Sequence, residues 1–117
     1  MNLIIDIGNS VAKLALFHRN ELIDIFYDSN QSLESLPAIC RTYSIEKGIL
    51  STVIHLSDAI KEQLKTLSFE LLQVSYQTAL PIKILYKTPQ TLGSDRIAAV
   101  VGAQSLQPQK DILVIDA

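Results

Sequence analysis

The chain has 117 residues, 48% of them hydrophobic, with a single cysteine and a formal charge of −2; its mean hydropathy is +0.25 and its pI is near 5.6. That length supplies one compact core and not two, the mild acidity excludes the basic stripe of a nucleic-acid-binding surface, and the lone Cys40 excludes an internal disulfide or a cysteine-based metal site. Asp6 arrives early without a basic lead, so no signal peptide is expected, and no apolar run reaches membrane-spanning length; the expectation is a cytoplasmic protein with no membrane partner.

Residues 2–6 read as an apolar strand closed by an acid, and residues 11–18 and 22–27 as the next two strands. A Gly8-Asn9 turn and a polar turn at Arg19-Asn20-Glu21 join them into an antiparallel meander. The first junction is Asp6-Ile7-Gly8-Asn9-Ser10-Val11-Ala12-Lys13. Here Gly8 allows close backbone approach, the amides of Gly8, Asn9 and Ser10 can donate to phosphate oxygens, and Lys13 supplies positive charge. Asp6 can hold a magnesium ion directly or through water. The same residues also make an ordinary hairpin turn with Asp6 and Lys13 on its rim, and residue type alone leaves both readings open.

Leu33, Leu36, Ile39, Cys40 and Tyr43 fall at helical spacing, with Pro37 tolerable if the helix begins near Ser35; Cys40 is read as a structural thiol. Residues 48–54 read as a strand. Ser57 and Asp58 can cap a helix whose inner face is Ile60, Leu64 and Leu67, and residues 69–74 give another strand. After Pro81 and Pro89 comes a helix over residues 94–105 with Ile97, Val100 and Val101 on one face. Asp95 lies in its first turn, where it can simply complement the helix dipole beneath a Ser94 or Thr91 cap. Three meander strands, then helix, strand, helix, strand, predict an α/β fold: a mixed sheet with flanking helices in the ribonuclease-H-like arrangement. His18 and His55 have no partners at zinc-ligand spacing. Ser10, Ser51 and Ser94 sit in no nucleophile elbow, and no P-loop or dinucleotide fingerprint is present.

Asp-x-Gly-Asn-Ser-x-x-Lys, as it stands at residues 6–13, resembles the first phosphate motif of the type III pantothenate kinases, members of the acetate and sugar kinase, heat-shock chaperone and actin superfamily. Tyr86-Lys87-Thr88-Pro89-Gln90-Thr91-Leu92-Gly93-Ser94-Asp95-Arg96 resembles that family's pantothenate-binding segment, in which a tyrosine precedes Gly-x-Asp-Arg at a helix start. Val114-Ile115-Asp116-Ala117 resembles the beginning of its second phosphate motif, and repeats the pattern of Leu3-Ile4-Ile5-Asp6. In the family that strand runs on into a Gly-Thr turn and a second domain. The resemblance thus implies an actin-like ATPase domain over residues 1–110 and the first strand of a second domain at residues 111–117, together about half of a full-length kinase.

What the resemblance further implies is ATP-dependent phosphorylation of the primary hydroxyl of pantothenate, the first step toward coenzyme A. Asp6, Ile7, Gly8, Asn9, Ser10, Val11, Ala12 and Lys13 would hold the phosphates of ATP, with Asp6 on magnesium. Tyr86, Gly93, Ser94, Asp95 and Arg96 would hold pantothenate, with Asp95 the catalytic residue that receives or orients the hydroxyl proton. Asp116 would bind a monovalent cation, potassium or ammonium, and the full-length parent would be a homodimer. The isolated chain would then be an inactive half, since the adenine pocket and the other cleft wall lie beyond it in the family. The alternative is a non-catalytic regulatory or accessory binding protein of the same fold; its acidity counts against direct contact with nucleic acid.

Overall fold

Residues Asn2–Ile7 are mostly apolar, and in the computed structural model, which describes residues 1–116, they form the first strand, β1, whose burial alternates, with Leu3, Ile5 and Ile7 fully buried. β2 (Val11–His18) returns antiparallel with Ala12, Leu14 and Leu16 buried, and β3 (Glu21–Ser29) completes the meander. Arg19, at φ 56°, takes the left-handed conformation that this tight hairpin requires.

The chain then crosses over through α1 (Leu36–Thr42) to β4 (Lys47–Thr52), parallel to β1, and through α2 (Asp58–Lys65) to β5 (Glu70–Gln73), parallel to β4. The sheet order is β3-β2-β1-β4-β5. This is the mixed α/β sheet with flanking helices expected of an actin-like ATPase domain. Pro37 fits the first turn of α1, where its missing N–H would have no partner. Asp28 at the end of β3 accepts from the amide and hydroxyl of Ser35, at 2.8 and 2.7 Å, and so ties that helix start to the sheet. Ser57 caps α2 as expected, its hydroxyl accepting from the Ile60 amide at 3.2 Å.

β4 and β5 are shorter than the residue types predict. After β4, the Thr52 hydroxyl donates to the Ile54 carbonyl and accepts from the Ile54 amide, curling the backbone out of the ladder. Past a short helical turn at Pro89–Thr91 comes α3 (Ser94–Leu106). Residues 111–116 form neither helix nor strand. Leu113 and Ile115 are exposed there, and a strand needs a partner for its backbone groups; Ala117 lies outside the described residues.

Side-chain alternation assigns the two faces of the sheet. One face carries Leu3, Ile5, Ile7, Leu14, Leu16 and Leu50, which pack with Leu33, Leu36, Ile39 and Ile60 into the core. Asp6, Lys13 and Ser51 alternate with these residues and so belong to the opposite face. α3 lies on that side, contacting β4. It touches the sheet near its first turns, which buries Ile97 but leaves Val100 40% exposed, so the expected apolar face of α3 is only partly used. Cys40 is on the exposed side of α1, not in the core, and partial burial still raises its thiol pKa above the ordinary value.

Gly48 is closely packed within the sheet. A Cβ there would stand 2.8 Å from Leu71 Cδ1, 3.0 Å from Phe69 Cε2 and 3.3 Å from the Leu3 carbonyl oxygen. Gly48→Ala is expected to destabilise the fold by about 1–3 kcal/mol through overpacking. Urea unfolding checks this; an unchanged midpoint would show that Leu71 and Phe69 move aside freely.

Candidate active site

The β1–β2 turn is closed by its own backbone: the Gly8 amide donates to the Val11 carbonyl at 2.9 Å. Of the three amides expected to face an anion, Gly8's is therefore engaged within the turn. Those of Asn9 and Ser10 make no hydrogen bond among the described residues. Gly8 does not have a positive φ, and a Cβ would meet only the Val11 oxygen, at an ordinary 3.4 Å. The turn itself tolerates a side chain at Gly8, so any need for glycine there has to come from something approaching from outside.

Asp6 and Lys13 are directly opposed across the β1–β2 ladder, and Asp6 is likewise opposed to Ser51 across β1–β4. Opposed side chains in a ladder stand about 4.5–5.5 Å apart at Cβ, so the acid, the base and the hydroxyl form one row on the face where α3 meets β4. Asp6 is half-buried and Lys13 exposed. Neither belongs to an ion pair among the described residues, which leaves both charges available to a ligand.

Ser94 fastens α3 to this row. Its hydroxyl lies 3.0 Å from that of Ser51 and 3.1 Å from the Thr52 carbonyl, and both serines are buried. Ser94 is thus the helix mooring, not a helix cap; the N-cap position is Gly93, and the Thr91 hydroxyl bonds back to Thr88. Asp95 follows immediately, half-buried, with its Oδ1 accepting from the Arg96 amide at 2.8 Å. That oxygen lies 2.5 Å from where a Cβ of residue 93 would be. Glycine at 93 therefore makes the room in which the Asp95 carboxylate sits.

Beside α3 a shallow groove of about 190 Å³ runs between residues 82–86 and the helix, and Tyr86, Leu92, Arg96, Ile97 and Val100 are among its lining residues. Tyr86, a lining residue of this groove, is 50% exposed. The structure so brings Asp6, Lys13, Ser94 and Asp95 to one face, with Tyr86 and Arg96 sharing an adjoining groove. Asp116 is not gathered with them. It is exposed in residues 111–116, and no hydrogen bond or ion pair among the described residues involves it.

No group of three metal-ligating side chains occurs among the described residues. A single carboxylate such as Asp6 suits magnesium, which keeps much of its water and takes phosphate oxygens for the rest, better than an all-protein cage ion such as calcium. Two residues to which the sequence assigned no part in the site also shape it: Ser51, whose partner is 43 positions away, and Asn30, whose side chain bonds the carbonyls of the β1–β2 turn. Ser51 was visible only as a polar residue in an apolar strand.

A family model described as type III pantothenate kinase matches residues 2–117. Proteins named type III pantothenate kinase are similar to the chain over its whole length: 56% identical in Phocaeicola vulgatus, covering 48% of that relative; 55% in Bacteroides fragilis, covering 48%; and 41% in Christiangramia forsetii, covering 49%. The chain spans about half the length of the curated relatives it matches.

Proposed function

Since the chain belongs to the type III pantothenate kinase family, we propose that it forms one wall of an enzyme that moves the γ-phosphoryl group of ATP to the primary hydroxyl of pantothenate. The observation that carries this reading is the Ser51–Ser94 contact, which brings the first turn of α3, with Asp95, against the row that holds Asp6 and Lys13. A nucleophile's proton acceptor and a phosphate-binding turn have to share one small volume for in-line transfer.

In the proposed reaction the Asn9 and Ser10 amides and Lys13 hold phosphate oxygens of ATP, with Ile7, Val11 and Ala12 supplying the turn's frame. Asp6 would hold magnesium, whose charge would offset that of the phosphates. Tyr86, Gly93 and Arg96 border the pantothenate site; the apolar groove suits its branched alkyl part, and the Arg96 guanidinium suits a carboxylate. The hydroxyl oxygen bonds to γ-phosphorus, the bond to the β-phosphate bridging oxygen breaks, and Asp95 takes the hydroxyl proton and passes it to water. An aspartate is a weak base for an alcohol, but a loose transition state asks for little deprotonation until late. A monovalent cation at Asp116, a homodimer of the full-length protein and a cytoplasmic location complete the proposal. No helix is long and apolar enough to cross a membrane, among the described residues.

The phosphate turn gives the direct test, in a full-length protein carrying this chain. Lys13→Ala is expected to raise KM for ATP about tenfold, equivalent to about 1.4 kcal/mol, with KM for pantothenate unchanged. Gly8→Ala should do likewise without lowering the thermal midpoint, because the turn has room for the methyl group. If both variants keep the parent's KM for ATP, the turn is a hairpin and no more.

A further inference from the structure

We propose that Asn30 is a positioning residue, which aims the amides of Asn9 and Ser10 outward as a paired donor for polyphosphate; the ligand half of this rests on the kinase reading above. Asn30 stands just past the end of β3, where Ser29 pairs with Val11 and brings it beside the β1–β2 turn. Its Nδ2 donates to the Asn9 carbonyl at 2.8 Å and the Gly8 carbonyl at 3.3 Å. All peptides here are trans, and in a trans peptide the carbonyl and the next residue's N–H point in opposite directions. Holding the Gly8 carbonyl toward Asn30 therefore turns the Asn9 N–H away from it. Holding the Asn9 carbonyl does the same for the Ser10 N–H.

The amide of Asn30 is itself held in register. Gln31 Nε2 donates to Asn30 Oδ1 at 3.1 Å, which leaves the NH₂ group to face the turn, and the Ser57 hydroxyl donates to the Gln31 carbonyl at 2.6 Å. Ser57 is also the cap of α2. A chain of hydrogen bonds thus connects the start of a core-packed helix to the two peptide planes at the turn. Two adjacent outward amides make a donor pair of the kind that can bind anions, and neither amide has a competing partner among the described residues.

The experiment is nuclear magnetic resonance on the chain with ¹⁵N label, comparing the parent with Asn30→Ala and with the near-isosteric Asn30→Asp, which offers the two carbonyls an acceptor in place of a donor. Residual dipolar couplings of Asn9 and Ser10 N–H should change in both variants while those of β1 and β2 hold. Sodium tripolyphosphate should shift the Asn9 and Ser10 amides of the parent, with at least a tenfold weaker Kd in each variant. Unchanged Asn9 and Ser10 couplings in a folded variant would overturn the positioning role, whatever binds. Changed couplings with an unchanged Kd would overturn its link to anion binding. If tripolyphosphate leaves the parent's amides unmoved, the phosphate reading of the turn fails and the ligand half of the proposal with it, while the couplings still decide whether Asn30 orients the peptides.

Discussion

Asp95→Asn, in a full-length protein carrying this chain, is expected to lower the turnover of pantothenate phosphorylation by at least about a hundredfold and to leave the unfolding midpoint where it was. The fold should not notice the change, because Ser94 and not Asp95 moors α3. An asparagine Oδ1 can still accept from the Arg96 amide as Asp95 Oδ1 does. What the substitution removes is the carboxylate charge, which in the proposed reaction would take the proton and draw the hydroxyl into line. A steady-state coupled assay checks the rate and a thermal melt checks the fold. Turnover within a few fold of the parent would remove Asp95 from the chemistry and leave it as a first-turn acid that complements the helix dipole.

The polypeptide of residues 1–117 by itself is expected to unfold cooperatively yet phosphorylate pantothenate at no measurable rate with ATP, magnesium and potassium supplied. Its sheet buries a continuous core, so a stable domain is the natural outcome. Its chemistry, by contrast, faces water: Lys13 is exposed, Asp6 and Asp95 are half-buried, and the Tyr86 groove is shallow. Charge interactions at an open wall are screened by high dielectric, and kinases of actin-like architecture close over their substrates to escape this. Turnover proportional to the concentration of the purified chain, and abolished by Asp95→Asn, would show that one wall suffices. A silent chain that nonetheless binds ATP would fit a half-site whose donors are present but not enclosed.

Where the physics is local, the residues announced the structure. The alternation of Leu3, Ile5 and Ile7 marks β1 because a slip by one residue would turn all three to solvent, and Ser57 caps α2 because its hydroxyl reaches the Ile60 amide only three positions on. Where partners are distant, the residues were silent. Nothing around Ser51 tells of Ser94, and Asn30 reads as one more polar residue in a loop until the β2–β3 register sets it beside Gly8. The engagement of the Gly8 amide is hidden for the same reason: whether an amide is free depends on where the chain returns, and it returns with the Val11 carbonyl in place. The edges of β4 and α3's apolar face followed tertiary context over pattern. Of the site, the motif residues were legible and the bonds that hold them in position were not.

The mooring of α3 contains no charge. Ser51 and Ser94 share a hydrogen bond between neutral hydroxyls in a buried spot, so neither acid nor salt alters it directly, whereas ionic strength screens an exposed cation such as Lys13. The two halves of the site consequently answer to different solution conditions. In the proposed site, electrolyte should weaken the grip on an anion at the turn, while the carboxylate at the head of the helix keeps its address.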